Sequence, residues 1–180
     1  TPNITVQPSD NTVTEGQGAT FTVEASAGSE TLTYQWQQST DNGGSWTDIS
    51  GATEASYTTG TTTTSMSGYQ YRCVVKSASG VGVISSAATL TVNALTTYTI
   101  NATANPAEGG TATADKTTAA AGETVTLTAT ANPGYRFTSW TSVGGGTFAN
   151  SSSANTTFTM PSGDVTVTAK FEQVYTVTIS

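Results

Sequence analysis

The sequence predicts an all-β protein in two domains. Thr alternates with Val, Ala or Leu along most of its length, the period-two signature of half-buried strands. No apolar pattern at helical spacing persists beyond a turn or two. The 18 Gly and 5 Pro gather between the alternating runs, where chain reversals are needed. A chain of 180 residues accommodates one large or two small domains with modest cores, and the change of pattern around residues 94–97 favours two.

Charge narrows the function classes. Five Lys and Arg stand against twelve Asp and Glu, giving a formal charge of -7, and there is no His. A nucleic-acid partner requires cations to neutralise phosphates, so that class is set aside, and adsorption to an anionic membrane is disfavoured on the same ground. No run approaches the roughly 20 apolar residues of a transmembrane helix, so no membrane insertion is expected within the sequence. The chain starts at Thr1-Pro2 without Met or a basic-plus-apolar leader and is expected to be a fragment or processed piece, with any anchor outside it. A single cysteine, Cys73, excludes a disulfide within the chain. The low charge and Thr-rich strands fit a secreted protein better than a cytosolic enzyme.

In order along the chain, Asn3 to Gln7 alternate and are broken by Pro8-Ser9-Asp10-Asn11, as an edge strand and turn would be. Phe21, Val23 and Ala25 share one face of the next strand. Leu32, Tyr34 and Trp36 do the same on the strand that follows, where a buried Trp contributes about 150–250 Å² of ring surface. Asp41-Asn42-Gly43-Gly44 is a hairpin signal that returns the chain through Trp46 to Ile49. After Tyr57 and a Thr-rich connection come a strand from Tyr69 to Lys76, a turn at Ser79-Gly80 and a strand from Val81 to Val92.

The combination Tyr34-Gln35-Trp36, Asp48-Ile49-Ser50-Gly51-Ala52, Tyr57 and Gly68-Tyr69-Gln70-Tyr71-Arg72-Cys73 resembles a bacterial immunoglobulin-like domain. A Tyr two residues before a Cys, with a Trp upstream, is the pattern of that sandwich. The resemblance implies that residues 1–93 form a sandwich with Trp36, Tyr71 and Cys73 in its core. Val23 stands where such domains usually carry their first cysteine, so packing replaces a crosslink that can supply roughly 2–4 kcal/mol.

Residues 94–97 read as a short linker, and a new alternating strand opens at Tyr98. Gly134-Tyr135-Arg136-Phe137-Thr138-Ser139-Trp140 and Asp164-Val165-Thr166-Val167-Thr168-Ala169-Lys170-Phe171 resemble the divergent form of the internalin-type B-repeat over residues 98–172. Ser139 stands where that pattern usually has Gly. The resemblance implies a small, mostly β domain, β-grasp-like in its best-known members, with Tyr135, Phe137, Trp140 and Phe171 as core markers. Residues 173–180, with Tyr175-Thr176-Val177-Thr178-Ile179 echoing Tyr98-Thr99-Ile100, read as the start of a further repeat or as a terminal strand.

Candidate chemistry is sparse. Without His, neither Ser/His/Asp nor Cys/His constellations can form, and zinc sites built from His or several Cys are excluded. The carboxylate pairs Asp41 with Asp48 and Glu108 with Glu123 lie in or beside turns, where solvation accounts for them. Ser39-Thr40-Asp41-Asn42-Gly43-Gly44-Ser45-Trp46 matches the Asp-box of sialidase propeller hairpins, but a propeller would repeat it. Oxygen ligands for calcium occur in the Asp41-Asn42-Asp48 loop at no known spacing. Lys76 or Lys170 bonded to an Asn, with an acid nearby, would make an isopeptide crosslink; both read as solvated. Asn101-Ala102-Thr103 and Asn155-Thr156-Thr157 are glycosylation sequons by pattern only. Trp46, Tyr57 and Tyr69, less committed to a core than Trp36, are the candidate exposed aromatic platform.

The resemblances, charge and residue inventory together predict a non-catalytic extracellular spacer or adhesion segment of a bacterial surface protein. It is expected to be monomeric and free of cofactors, with an unidentified protein or glycan as partner. The alternative is an accessory carbohydrate-binding region of a secreted polysaccharide-degrading enzyme.

Overall fold

Alternation along each strand decides which side chains enter the cores, and the computed structural model, which describes residues 1–175, shows the pairing that results. The chain divides into two units, one from Thr1 to Leu95 and one beginning at Thr96.

The first unit contains β1 (Asn3–Val6), β2 (Asn11–Thr14), β3 (Thr20–Thr22), β4 (Glu24–Ser26), β5 (Leu32–Ser39), β6 (Thr47–Asp48), β7 (Ser56–Thr58), β8 (Gln70–Ser77), β9 (Gly82–Ile84) and β10 (Ala88–Asn93). One layer pairs β1 with β4 and β3 with β7; the other runs β2-β10-β8-β5-β6, with β9 also on β8. This is the strand order of an immunoglobulin-like sandwich, confirming the expected fold class. All its pairings are antiparallel except β2 with β10.

Tyr71, Cys73 and Val75 alternate inward along β8, and Trp36 lies directly across from Cys73 on β5. Phe21, Val23, Trp36, Tyr71, Cys73 and Leu90 are all buried in one cluster. The Tyr71 ring is held by stacking on Phe21, centroids 4.6 Å apart, with Tyr57 5.8 Å away. Trp36 donates its indole N–H to the Glu54 carbonyl (2.9 Å), and its backbone N–H to Ala52 O (3.0 Å), so the segment after β6 is drawn across the ring.

Three details depart from the expected strands. The run around Phe21 is interrupted at Val23, whose N–H donates to Ala55 O, so that β3 and β4 pair with different neighbours. The run from Val81 to Val92 is split at Ser85, whose backbone N–H donates to Cys73 O while its Oγ accepts from Cys73 N, both at 2.9 Å. Asn11–Thr14, expected in part to be a turn, is a strand because Asp10 ends the turn by accepting the Thr89 N–H (2.7 Å).

The second unit contains β11 (Thr97–Asn105), β12 (Gly110–Ala114), β13 (Thr118–Ala120), β14 (Thr124–Ala131), β15 (Tyr135–Val143), β16 (Thr147–Phe148), β17 (Asn155–Thr159) and β18 (Val165–Gln173). They form two four-stranded sheets, β13-β11-β18-β15 and β12-β14-β17-β16. Ile100, Trp140, Val167, Ala169 and Phe171 from the first sheet meet Val125, Leu127 and Phe158 from the second in one core. The β-grasp-like expectation is corrected here. A grasp lays a helix over its mixed sheet, whereas this unit covers β11 and β18 with a second sheet, and its only helical element among the described residues is the single 3-10 turn Ala107–Gly109. The Thr/Val/Ala period-two runs of β14 and β17 favour that outcome, since each buries one face and leaves Thr outside. Residues 176–180, including most of the repeat-like Tyr175–Ile179 run, lie outside the described residues.

The Phe137 and Trp140 markers illustrate how register can override simple parity. Three residues apart, they would face opposite sides of a regular strand. A shift in pairing between Phe137 and Ser139 against β18 turns both toward the core, 5.8 Å apart.

The connection from β15 to β16 runs through Gly144-Gly145-Gly146, all at positive φ. A Cβ on Gly146 (φ 84°) would overlap the buried Phe158 ring, 2.7 Å from its Cε1. Gly146→Ala is therefore expected to lower stability by about 2–4 kcal/mol in denaturant titration, combining backbone strain with overpacking. Gly163→Ala, at a position with open space and no positive φ, should change it by less than about 1 kcal/mol; equal effects would refute the account.

Candidate functional site

The outer face of β5, β6 and β8 carries the richest side-chain network of the first unit. Residues facing away from the core on β8 are Gln70, Arg72, Val74 and Lys76, and across from Arg72 on β5 is Gln37. Arg72 Nε donates to Gln37 Oε1 (2.8 Å), and Gln37 Nε2 donates to Asp48 Oδ1 (2.8 Å). The Arg72 guanidinium also lies over the Trp46 ring, 4.1 Å from its centroid. A cation over an indole contributes about 0.5–1 kcal/mol at an exposed site, so aromatic, cation, amide and carboxylate hold one another in a row.

Trp46 is delivered to that row by the hairpin before it. Ser45 donates to Asp41 twice, from its N–H to Oδ1 (2.8 Å) and from its Oγ to Oδ2 (2.6 Å), and Ser39 Oγ donates to Oδ1 (2.7 Å). Gly43 N–H donates back to Ser39 Oγ (2.8 Å). Asn42 (φ 56°) and Gly43 (φ 87°) supply the left-handed backbone the turn needs. The Ser45, Ser39 and backbone hydrogen bonds hold the Asp41 carboxyl down at about 2. Asp48 is shared by two shallow depressions: one of about 240 Å³ with Gln38, Thr40, Ser45, Thr47 and Ile49, the other of about 310 Å³ with Thr33, Gln35, Gln37 and Lys76. These groups can donate and accept hydrogen bonds; they offer no nucleophile paired with a base.

The structure does not assemble the three candidate platform aromatics. Tyr57 turns inward, 6.3 Å from Trp36, and burial pushes its hydroxyl above the usual tyrosine range. Tyr69 packs against the same core. Trp46 alone lies on the outer face, beneath Arg72. Arg72 and Gln37, which complete the network, were not singled out by the sequence; the outward parity opposite Cys73 and Trp36 is the signal that could have found them. The markers Trp36, Tyr71, Cys73, Trp140 and Phe171 are buried, and Tyr135 and Phe137 are half-buried against the second core.

Of the four carboxylates, Asp41, Asp48 and Glu123 are each engaged with a different partner. Asp41 binds its own hairpin and Asp48 binds Gln37. Glu123 pairs with Lys116 and accepts the Ala120 N–H (2.9 Å), while Glu108 offers its backbone carbonyl to Asn132. Asn42 of the candidate calcium loop accepts from Gln70 Nε2 (3.2 Å). Among the described residues no group of three or more His, Cys, Asp or Glu side chains could hold a metal ion. Lys170 is exposed and lies level with Asn105 on β11, and no carboxylate is buried beside either. Among the described residues no helix is long and apolar enough to cross a membrane.

Residues 3–94 match the family model described as Domain of unknown function (DUF8696). The chain belongs to that family. Residues 100–175 match a second model, Divergent InlB B-repeat domain, which spans the two motifs that carried the resemblance. Among curated proteins none matches. Solved structures similar to this DUF8696 chain include the titin domains z1z2 in complex with telethonin, at 15% identity over 97% of this chain and 98% of that one, TM-score 0.38. Another is Duf (Kirre) D1, at 19% identity over 52% of this chain and 98% of that one, TM-score 0.37. A third is Drosophila OTK extracellular domains 3–5, at 13% identity over 94% of this chain and 64% of that one, TM-score 0.37. At such scores the strand pairings, and not these likenesses, carry the fold.

Two measurements check the geometry. Asp41 has a folded pKa below its unfolded value of 3.8, so its stabilisation is full above that value and is lost as pH falls toward about 2. The stability gap between the native chain and Asp41→Asn should be constant near neutral pH and close between about pH 4 and pH 2; a gap unchanged down to pH 2 would refute the hairpin's role. Cys73 is fully enclosed, and burial raises its thiol to about 11. Maleimide should leave the native chain unmodified by mass and add once after denaturation; rapid native labelling would place β8 outside the core.

Proposed function

We propose that the chain is a non-catalytic spacer and adhesion segment of an extracellular bacterial surface protein. In this reading an immunoglobulin-like module (1–93) and a B-repeat-like module (98–172) are joined by residues 94–97. The observation that carries it is the match of residues 100–175 to the Divergent InlB B-repeat domain, directly following a β-sandwich. The inventory supports it: no His, one enclosed Cys, and Asp41, Asp48 and Glu123 each engaged with a different partner. A surface of -7 formal charge with little Lys or Arg resists adsorption to other acidic surfaces and keeps a displayed chain in solution. The chain acts as a monomer, and its partner is a protein or a glycan.

A second reading, an accessory carbohydrate-binding region, is favoured by one observation: Trp46 lies outside the core beneath Arg72, whose partner Gln37 lines one of the Asp48 depressions. With Tyr57 and Tyr69 committed to the core, a sugar would have a single ring to stack on.

Display experiments distinguish the readings. Cells carrying this chain between a membrane anchor and a ligand-binding head should capture ligand-coated beads as well as cells carrying an unrelated β-sandwich tandem of equal length. Superior capture by this chain in the absence of the head would make it the adhesin itself. Glycan-array binding abolished by Trp46→Ala would establish the second reading in place of the spacer.

A further inference from the structure

Both units join an early strand to their last strand in parallel. In the second unit β11, the first strand, lies beside β18, the last, with Ile100 to Asn105 in unbroken register against Val165 to Lys170. In the first unit β2 lies beside β10, with Asn11 to Thr14 against Leu90 to Asn93. Parallel neighbours run in one direction, so the entry of β11 and the exit of β18 are at opposite ends of their shared ladder. Tension along the chain then slides one strand past the other and loads the ladder's hydrogen bonds together. An antiparallel hairpin pulled from its open end parts one pair at a time.

We infer that the chain is built to bear tension, each unit being closed by a shear-loaded clamp of parallel strands, with the second unit the last to yield. The inference rests on the spacer reading and adds to it a mechanical property located in particular residues. The β11–β18 clamp has six partnered positions, against four for β2–β10. It is reinforced by Thr103, which shares a hydrogen bond with Thr168 (3.0 Å), and by Asp164, which accepts the Thr99 N–H (2.7 Å) where the ladder begins. Ile100, Val165, Val167 and Ala169 are buried beneath it, which keeps water from replacing the broken bonds from that side. The first unit has additional ties, Glu15 N–H to Asn93 O (2.8 Å) and Thr89 N–H to Asp10 Oδ1 (2.7 Å). Its outermost strand, β1, has three partners on β4 with a shift in register, and gives way before the clamp is loaded.

Pulling one folded chain in different directions tests this without altering the ladder. Cysteine handles replace exposed residues of the full chain, Thr96→Cys with Val174→Cys to shear the β11–β18 ladder, and Thr96→Cys with Ser162→Cys to peel it from its start. The enclosed Cys73 does not compete for the linkers. At one loading rate in optical tweezers, the peeling pair should yield at a force at least about threefold lower, since the six pairs then part in succession. Equal denaturant midpoints for the two variants verify that both begin folded. Handles at Asn3→Cys and Val174→Cys should add a lower-force event from the first unit. Equal forces in the two geometries would overturn the clamp while leaving the spacer reading intact, and a first-unit event at higher force than the second would overturn the ranking. Failure of the bead-capture comparison with a large shear-to-peel ratio would instead remove the spacer reading and leave the clamp.

Discussion

Each unit is organised around a tryptophan whose enclosed ring must still find an acceptor for its N–H. Trp36 donates to Glu54 O and Trp140 to Ser153 O (3.1 Å). In both cases the backbone N–H of the same Trp is bound by the same crossing segment, to Ala52 O and to Ser151 O (2.7 Å). One residue therefore fixes a strand and the irregular chain that covers it. A large ring excludes water, while the polar edge specifies where the covering segment sits. Losing such a ring costs about 3–5 kcal/mol, a large share of the roughly 5–15 kcal/mol that holds a domain folded. The first unit has no disulfide to offset that loss, since Val23 joins Cys73 in the core.

A chain so rich in Thr and Ser must also account for hydroxyls that enter the interior. Thr59 Oγ1 accepts the Ala19 N–H, Thr62 Oγ1 donates to Gln17 O, and Thr156 Oγ1 accepts the Asn150 N–H. Ser85 serves Cys73 where the last strand of the first unit breaks. No buried side-chain nitrogen or oxygen among the described residues lacks a partner. These hydroxyls tie loops to strands, so the residue type that makes the exterior soluble also fastens the connections.

Much of the fold was legible because burial follows parity. Tyr71, Cys73 and Val75 turn inward and Arg72 outward in β8, as alternation requires. Illegible were the places where parity is broken or strands change partner: the register shift that brings Phe137 and Trp140 together, the interruption at Val23, and the break at Ser85. The two breaks each coincide with a hydrogen bond to a residue distant in sequence, and the shift lies in the pairing with β18, which no local pattern contains. The second sheet of the B-repeat-like unit was masked by the family's usual architecture, although Val125, Leu127 and Phe158 carried the signal of strands buried on one face. The site was less legible still. The aromatic content pointed to Trp46, Tyr57 and Tyr69 as equals, whereas the cross-strand position of Tyr57 opposite Phe21 commits it to the core. Arg72 and Gln37, with no motif of their own, form the network because register sets them side by side.

The covering segment around Trp140 has a further effect on how such modules coexist. β15 is nine residues long and lies at the margin of its sheet, the kind of margin that recruits foreign strands. Ser151 O takes up the Trp140 N–H in its middle, the register shift at Phe137 distorts its start, and Arg136 places a charge there. At the corresponding margin of the first unit, β6 is only two residues long. Units joined in one chain meet at high local concentration during synthesis, where exchange of strands between domains is a characteristic failure. Margins capped, kinked or shortened in this way favour each unit completing its own sheets before it can borrow a strand from the other.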